Sequence, residues 1–285
     1  MTGNEATEVK RRAFWIEQLD KADEFMQAIM PYPVEECGEG VVFLPDVAKE
    51  AGVTVAFSET PVGGSFKRLF YLRKRLVSHF VGVAKEMNER GWALKVEDGY
   101  RSRAIQTALG LQPNTFSIIL EKVIWELEGK LPTPEQMFKR LSVLVATCPK
   151  LGTHMSASAM DISALDLETG NDIDRGGPYL ELSELTPMHC PFISEEAQQN
   201  RVEITAIMER HGFGTYPYEF WHYSQGDAYE QYLKKTGKPG RYCAVDIDPE
   251  TGEVTPIDGI MEPLHSSEKI RSEIEAALER LNEQS

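Results

Sequence analysis

Gly152-Thr153-His154-Met155-Ser156-Ala157-Ser158-Ala159-Met160-Asp161 and, further along the chain, Tyr218-Glu219-Phe220-Trp221-His222 are the stretches on which the reading of this sequence turns. Between them they supply two imidazoles, one carboxylate able to bind a metal and a spare carboxylate. Three protein ligands on a tetrahedral ion leave a fourth position for water or substrate, which is the arrangement of a catalytic rather than a structural site. His154 and Asp161 stand seven apart with small residues between them, so a loop holding the histidine can run into a buried strand carrying the aspartate. Glu219 and His222 are three apart, on one face of a helix but on opposite faces of a regular strand. The aromatic and proline-bearing flanks, Tyr216-Pro217-Tyr218 and Phe220 to Tyr223, favour an extended segment with Glu219 at its entrance, where a turn can re-aim the carboxylate.

Working outward, Gly212 to Asp227 resembles the third signature of the zinc D-alanyl-D-alanine dipeptidases of the vancomycin-resistance type, which belong with lysostaphin and the hedgehog domain. The other two signatures of that group have counterparts at Asp98-Gly99-Tyr100-Arg101 and at Gly152 to Asp161, in the same order, and the similarity spans roughly residues 65 to 246. The resemblance implies that His154, Asp161 and His222 bind Zn2+, that Glu219 is the general base, and that Arg101 steadies the developing oxyanion. These roles suit the residue types. A carboxylate beside the metal can take a proton from water and pass it to a leaving amine, and a guanidinium stays charged and can fork onto a carbonyl oxygen. The other reading of Arg101 is a structural salt bridge.

The chain departs from the family pattern in three places. Gly152 stands where the family has serine, and Ala157 where it has glycine. In the segment Arg175 to Glu184, Leu180 occupies the position where the dipeptidases carry an acidic residue for the free amino group of the substrate. Either Glu181 or Glu184 takes over that role, or the site accepts a blocked or extended amino end.

The 285 residues carry a formal charge of −15 and a pI near 4.9, which argues against a nucleic-acid partner, since such proteins need a basic surface to displace counterions. At 41% hydrophobic the chain can bury an ordinary core. Cys37, Cys148, Cys190 and Cys243 form no Cys-x-x-Cys pair and read as free thiols. No apolar leader or membrane-length run is found, so the expected location is cytoplasmic, with no membrane partner.

Periodicity predicts a helix within the first thirty residues, from Phe14, Trp15, Leu19, Ala22, Phe25, Met26 and Ile29. Short strands are expected at Val41 to Leu44 and Val53 to Phe57. A long helix follows, with Leu69, Leu72, Leu76, Phe80, Ala84 and Met87 as its apolar stripe and Lys67, Arg68, Arg73, Lys74 and Arg75 on its solvated face. Trp92 to Val96 reads as the strand that delivers Arg101. A helical excursion over 110–150 forms either a wall of the cleft or an embellishment, and its second helix starts at the capping box after Thr133. Further helices are read at Ser194 to His211 and near Ile270 to Leu281, the last packing on the body or on a second subunit. Strands are read at Phe220 to Ser224 and Arg241 to Ile247.

Without a steady βαβ rhythm or a glycine-rich phosphate loop, the fold class is α+β. The resemblance implies a small antiparallel sheet that carries the zinc ligands and is covered by helices. One peptidase domain over 1–285 is expected, with residues 1–64 as an N-terminal extension packed on it. The leading function is zinc-dependent hydrolysis of D-alanyl-D-alanine-type dipeptides in bacterial cell-wall metabolism, with a small peptide as the partner. The alternatives are a D,D- or L,D-carboxypeptidase on longer wall peptides, or a non-catalytic zinc-binding module. Glu219 and Arg101 beside the ligands argue against the last, because a structural site needs neither.

Overall fold

The computed structural model describes residues 3–284. The chain opens with α1 (Gly3–Ile29), then β1 (Val41–Phe43), α2 (Leu44–Ala51), β2 (Val55–Phe57), β3 (Tyr71–Arg73), α3 (Val77–Glu89) and β4 (Trp92–Asp98). Three helices follow, α4 (Arg103–Gly110), α5 (Pro113–Glu126) and α6 (Pro134–Leu144), before β5 (Ala159–Asp166) and α7 (Glu195–Arg210). The hairpin β6 (Gly214–Thr215) and β7 (His222–Ser224) leads to α8 (Ala228–Leu233), the ribbon β8 (Val245–Ile247) and β9 (Val254–Pro256), and α9 (Ser267–Gln284). The α+β expectation holds.

The central sheet has the order β2-β4-β5-β7-β6, and all its pairings are antiparallel except that of the edge strand β2 with β4. Its two faces serve different purposes. Leu94, Val96, Met160, Ile162, Ala164 and Tyr223 are fully buried and form one core with Phe80 and Val83 of α3 and Ile204 and Ile207 of α7. Because side chains alternate across a strand, Asp161, Ser163 and His222 point to the opposite face. Asp161 and His222 lie directly across the β5–β7 ladder, which sets their side chains side by side.

Thr133 and Gln136 form the expected reciprocal capping box, and α9 buries Ile270, Ile274 and Ala277 against this body, in contact with α5 and α6. Among the described residues no helix is long and apolar enough to cross a membrane.

One expected element is corrected. The apolar stripe assigned to a single helix from Leu69 onward is split: Tyr71 to Arg73 form β3, paired with β1, and a 3-10 turn over Lys74–Leu76 leads into the helix only at Val77. The reason is Arg73. Far from lying on a solvated face, its guanidinium is fully buried and forks onto Glu36 at 2.9 and 3.0 Å. It also donates to the carbonyls of Ser156 (2.7 Å) and Glu39 (2.6 Å) and stacks on Tyr242. One side chain thus ties the segment before β1, the turn that carries His154 and the segment before β8. Arg68 is likewise buried, with Nη1 3.1 Å from Asp98 Oδ2.

Removing one member of a buried ion pair strands the other's charge, at a cost of about 3 to 5 kcal/mol. Glu36→Ala is therefore expected to lower the unfolding free energy by about that amount in urea denaturation, whereas a loss within error of zero would show that the Arg73 clasp is not structural.

Candidate metal centre

Asp161 is delivered by β5 and His222 by β7, while His154 comes from a 3-10 turn over Thr153–Ser156 just before β5. That turn closes at Ala157, whose φ of +55° is a left-handed conformation that glycine adopts without strain. The turn is fixed from outside, because Arg73 N–H donates to the Ala157 carbonyl and Arg101 N–H to that of His154.

Nε2 of His154 and Nδ1 of His222 stand 3.1 and 2.9 Å from Oδ1 of Asp161, and the three donor atoms lie within 4.8 Å of one another in buried surroundings. The outer nitrogen of each imidazole is also held: His154 Nδ1–H donates to the Gly99 carbonyl (2.6 Å), and His222 Nε2 meets the Thr153 hydroxyl (2.9 Å). With Nδ1–H committed to Gly99, Nε2 of His154 meets the carboxylate oxygen through a shared cation, either a proton on the ring or a metal ion when one is bound. A divalent metal suits this donor set, and outer-nitrogen bonds of this kind orient metal-binding histidines. Among the described residues no cysteine joins the cluster, and all four cysteines are free.

Arg101 follows β4 through the Asp98-Gly99-Tyr100 turn. A regular register would set Glu97 opposite Asp161, but a shift between Val96 and Asp98 brings Asp98 there instead. The bulge re-aims Asp98, which accepts from Arg101 Nε at 2.7 Å. Gly99 is required because a Cβ there would sit 2.8 Å from the Leu69 carbonyl oxygen. Arg101 Nη2 donates to Asp161 Oδ2 at 3.1 Å, and the Tyr179 hydroxyl donates to the same oxygen at 3.0 Å. Burial works to raise the Asp161 pKa, yet the histidines hold it well below the usual carboxylate range. Tyr179 is pushed well above its ordinary value by burial and by the negative charge of Asp161.

Glu219 lies in the β6–β7 connection, outside either strand, where Glu219 N–H donates to the Tyr216 carbonyl and His222 N–H to that of Glu219. Its carboxyl shares one narrow slot, about 60 Å³, with His154, Asp161, His222 and Arg101. Withdrawal from water and the charge of Asp161 raise its pKa well above the usual range, against the pull of Arg101. The slot's far wall comes from α4, through Leu109, and from the helical excursion, through Thr115, Val143 and Leu144, so the excursion forms part of a cleft wall.

All five residues singled out from sequence meet in this slot. Sequence reasoning passed over Tyr179, Thr153 and Asp98 as partners. Asp98 was legible from its three-residue spacing to Arg101, but the Tyr179 contact depends on how a long loop returns and has no local signal. The compensating-glutamate expectation is corrected for Glu184: its carboxylate is occupied by Arg11 (2.7 Å) and Lys122 (2.8 Å), a pairing that holds it away from the slot. Glu181 does not line the slot either, whereas Leu180 does.

Residues 74–238 match the family model described as D-ala-D-ala dipeptidase. A curated D-alanyl-D-alanine dipeptidase from Synechocystis sp. is 31% identical over 160 residues, covering 49% of this chain and 62% of that protein. Proteins of the same name from Enterococcus faecium and Escherichia coli are each 34% identical over a quarter of this chain, covering 35% and 36% of their own lengths. The chain thus spans less than two thirds of each of these relatives.

Groups that orient metal-binding histidines are typically worth about 10- to 100-fold in affinity. Thr153→Val, which keeps the shape of the side chain but removes the hydroxyl at His222, is expected to weaken divalent-metal binding on that scale in a chelator competition. Unchanged affinity would contradict the bonding described for His222.

Proposed function

Since this chain belongs to the D-ala-D-ala dipeptidase family, we propose that it hydrolyses D-alanyl-D-alanine-type peptides at a Zn2+ ion held by His154, Asp161 and His222. The observation that carries this reading is the meeting of three metal-donor atoms with an independent carboxyl group, Glu219, in one slot. A structural metal site has no use for the fourth group.

When bound, the ion supplies positive charge that polarises a carbonyl and acidifies water. Glu219 accepts the proton of the attacking water on its carboxylate and returns it to the leaving amine nitrogen. Burial and Asp161 favour the protonated form of this carboxyl, and the charge of a bound ion would favour the ionised one, the opposing pulls that a group alternating between base and acid requires. Arg101 has two tasks. Through Nη2 it fixes the Asp161 carboxylate, and its charge at the slot offsets the negative charge that develops on the substrate oxygen.

A second reading, carboxypeptidase action on longer wall peptides, is favoured by one observation. Among the described residues the carboxyl groups lining the slot are Asp161 and Glu219, both engaged in the proposed chemistry, which leaves none of these for a free ammonium.

Glu219→Gln is expected to retain one zinc per chain while the turnover of D-Ala-D-Ala or its amino-acetylated form falls by about a hundredfold or more. Parallel metal analysis and peptide-release kinetics check this. Turnover near that of the parent would remove Glu219 from the mechanism, and loss of zinc would make it a ligand instead of a base.

A further inference from the structure

Beside the slot, on the other side of Tyr179 and Leu180, the same sheet face opens into a second cavity of about 600 Å³. Leu180 lines both spaces, and Tyr179 reaches from the cavity wall to Asp161. The larger space is polar and of mixed charge, with Arg68, Lys95, Arg175 and Ser163 in its lining together with the carboxylates of Glu97, Asp172 and Asp174. Two of these cations are already neutralised: Arg68 by Asp98 at 3.1 Å and Lys95 by Glu97 at 2.8 Å.

Arg175 is different. It is 3% exposed, and among the described residues no carboxylate hydrogen-bonds to its Nη1. Its Nη2 donates to Ser163 Oγ at 2.9 Å, its face rests on Phe220, and its Nη1 has no partner. Arg201 stacks on the same ring, which adds a second positive charge nearby. Glu97, Asp172 and Asp161 act on Arg175 only from a distance; a buried guanidinium without a contacting counter-ion is costly, and planar bidentate recognition of carboxylates is what arginine does best. Ser163 stands two residues after Asp161 on the same face of β5, about 7 Å along the strand. A carboxylate held there therefore lies one residue's length from the metal ligands.

We propose that this second cavity is a subsite for a carboxylate of the substrate, held by Arg175 and Ser163, so that the preferred peptides carry an anionic group beyond the bond that is cleaved. This rests on the peptidase reading. The carboxylate comes either from an acidic group on the acyl side of the peptide or from its own C-terminus, and the chemistry at Arg175 is the same for both.

The test is calorimetric titration of the zinc-loaded 285-residue chain carrying Glu219→Gln with three peptides: N-acetyl-D-Ala-D-Ala, N-succinyl-D-Ala-D-Ala and the carboxamide of the first. One charged hydrogen-bonded contact corresponds to about tenfold or more in affinity. A tenfold preference for the succinyl over the acetyl peptide identifies an acyl-side carboxylate, and the same preference for the acid over the carboxamide identifies the C-terminal one. Either preference should collapse with Arg175→Gln and be partly kept with Arg175→Lys. Equal binding of all three peptides overturns the proposal without any variant at Arg175, as does a preference that Arg175→Gln leaves intact in a folded protein. Turnover of the same peptides by the parent, with Glu219 in place, reads the peptidase assignment separately. A parent that cleaves none of them while the Arg175-dependent preference persists contradicts that assignment and supports the subsite.

Discussion

The Asp161 carboxylate is the point on which the architecture depends. It is 2% exposed and takes His154 and His222 on one oxygen and Arg101 and Tyr179 on the other. A charge so deeply withdrawn from water is tolerable only when it is surrounded by positive and hydrogen-donating groups. Those groups arrive from a 3-10 turn, a facing strand, the turn after β4 and a long returning loop. Misplacing any one of these would leave an unpaired charge in a site of low dielectric. The carboxylate thus binds the separate elements into one arrangement as well as offering a donor atom to a metal.

Two devices hold that arrangement. On the covered face of the sheet, apolar residues of β4, β5 and β7 pack against α3 and α7, which fixes register, since a one-residue slip would turn Asp161 and His222 into that core. On the open face, the bulge before Asp98 adds a second carboxylate, which holds Arg101 and Arg68 together. Arg73 clamps the His154 turn from behind through the carbonyl of Ser156. The three candidate ligands therefore rest on a rigid sheet and a stapled turn, the kind of support that a preorganised site requires.

Much of this was legible in the sequence, for identifiable reasons. His154, Asp161 and His222, together with Glu219 and Arg101, sit in short motifs whose residue types have few other uses in combination, and apolar residues at helical spacing mark α5 and α9. What escaped was nonlocal. Leu69 and Leu72 fit a helical stripe, but pairing with β1 and the burial of Arg73 against Glu36 outweighed local periodicity. The run of basic residues at 67–75 read as solvated because its partners, Glu36 and Asp98, lie about thirty positions away on either side. Glu184 looked free for a substrate because Arg11 and Lys122 are distant in sequence. Ion pairs between remote residues leave no periodic trace, so it is at such pairs that the reading from sequence failed.

Whether two imidazoles and one carboxylate, drawn from three separate elements, hold a single zinc ion is read most directly by X-ray absorption at the zinc edge of the metal-loaded chain. The expected first shell is nitrogen and oxygen only, with the multiple-scattering signature of two imidazoles that drops to one in His222→Ala. A sulfur shell, which would implicate one of the four cysteines, or an imidazole signal unchanged in that variant would contradict it.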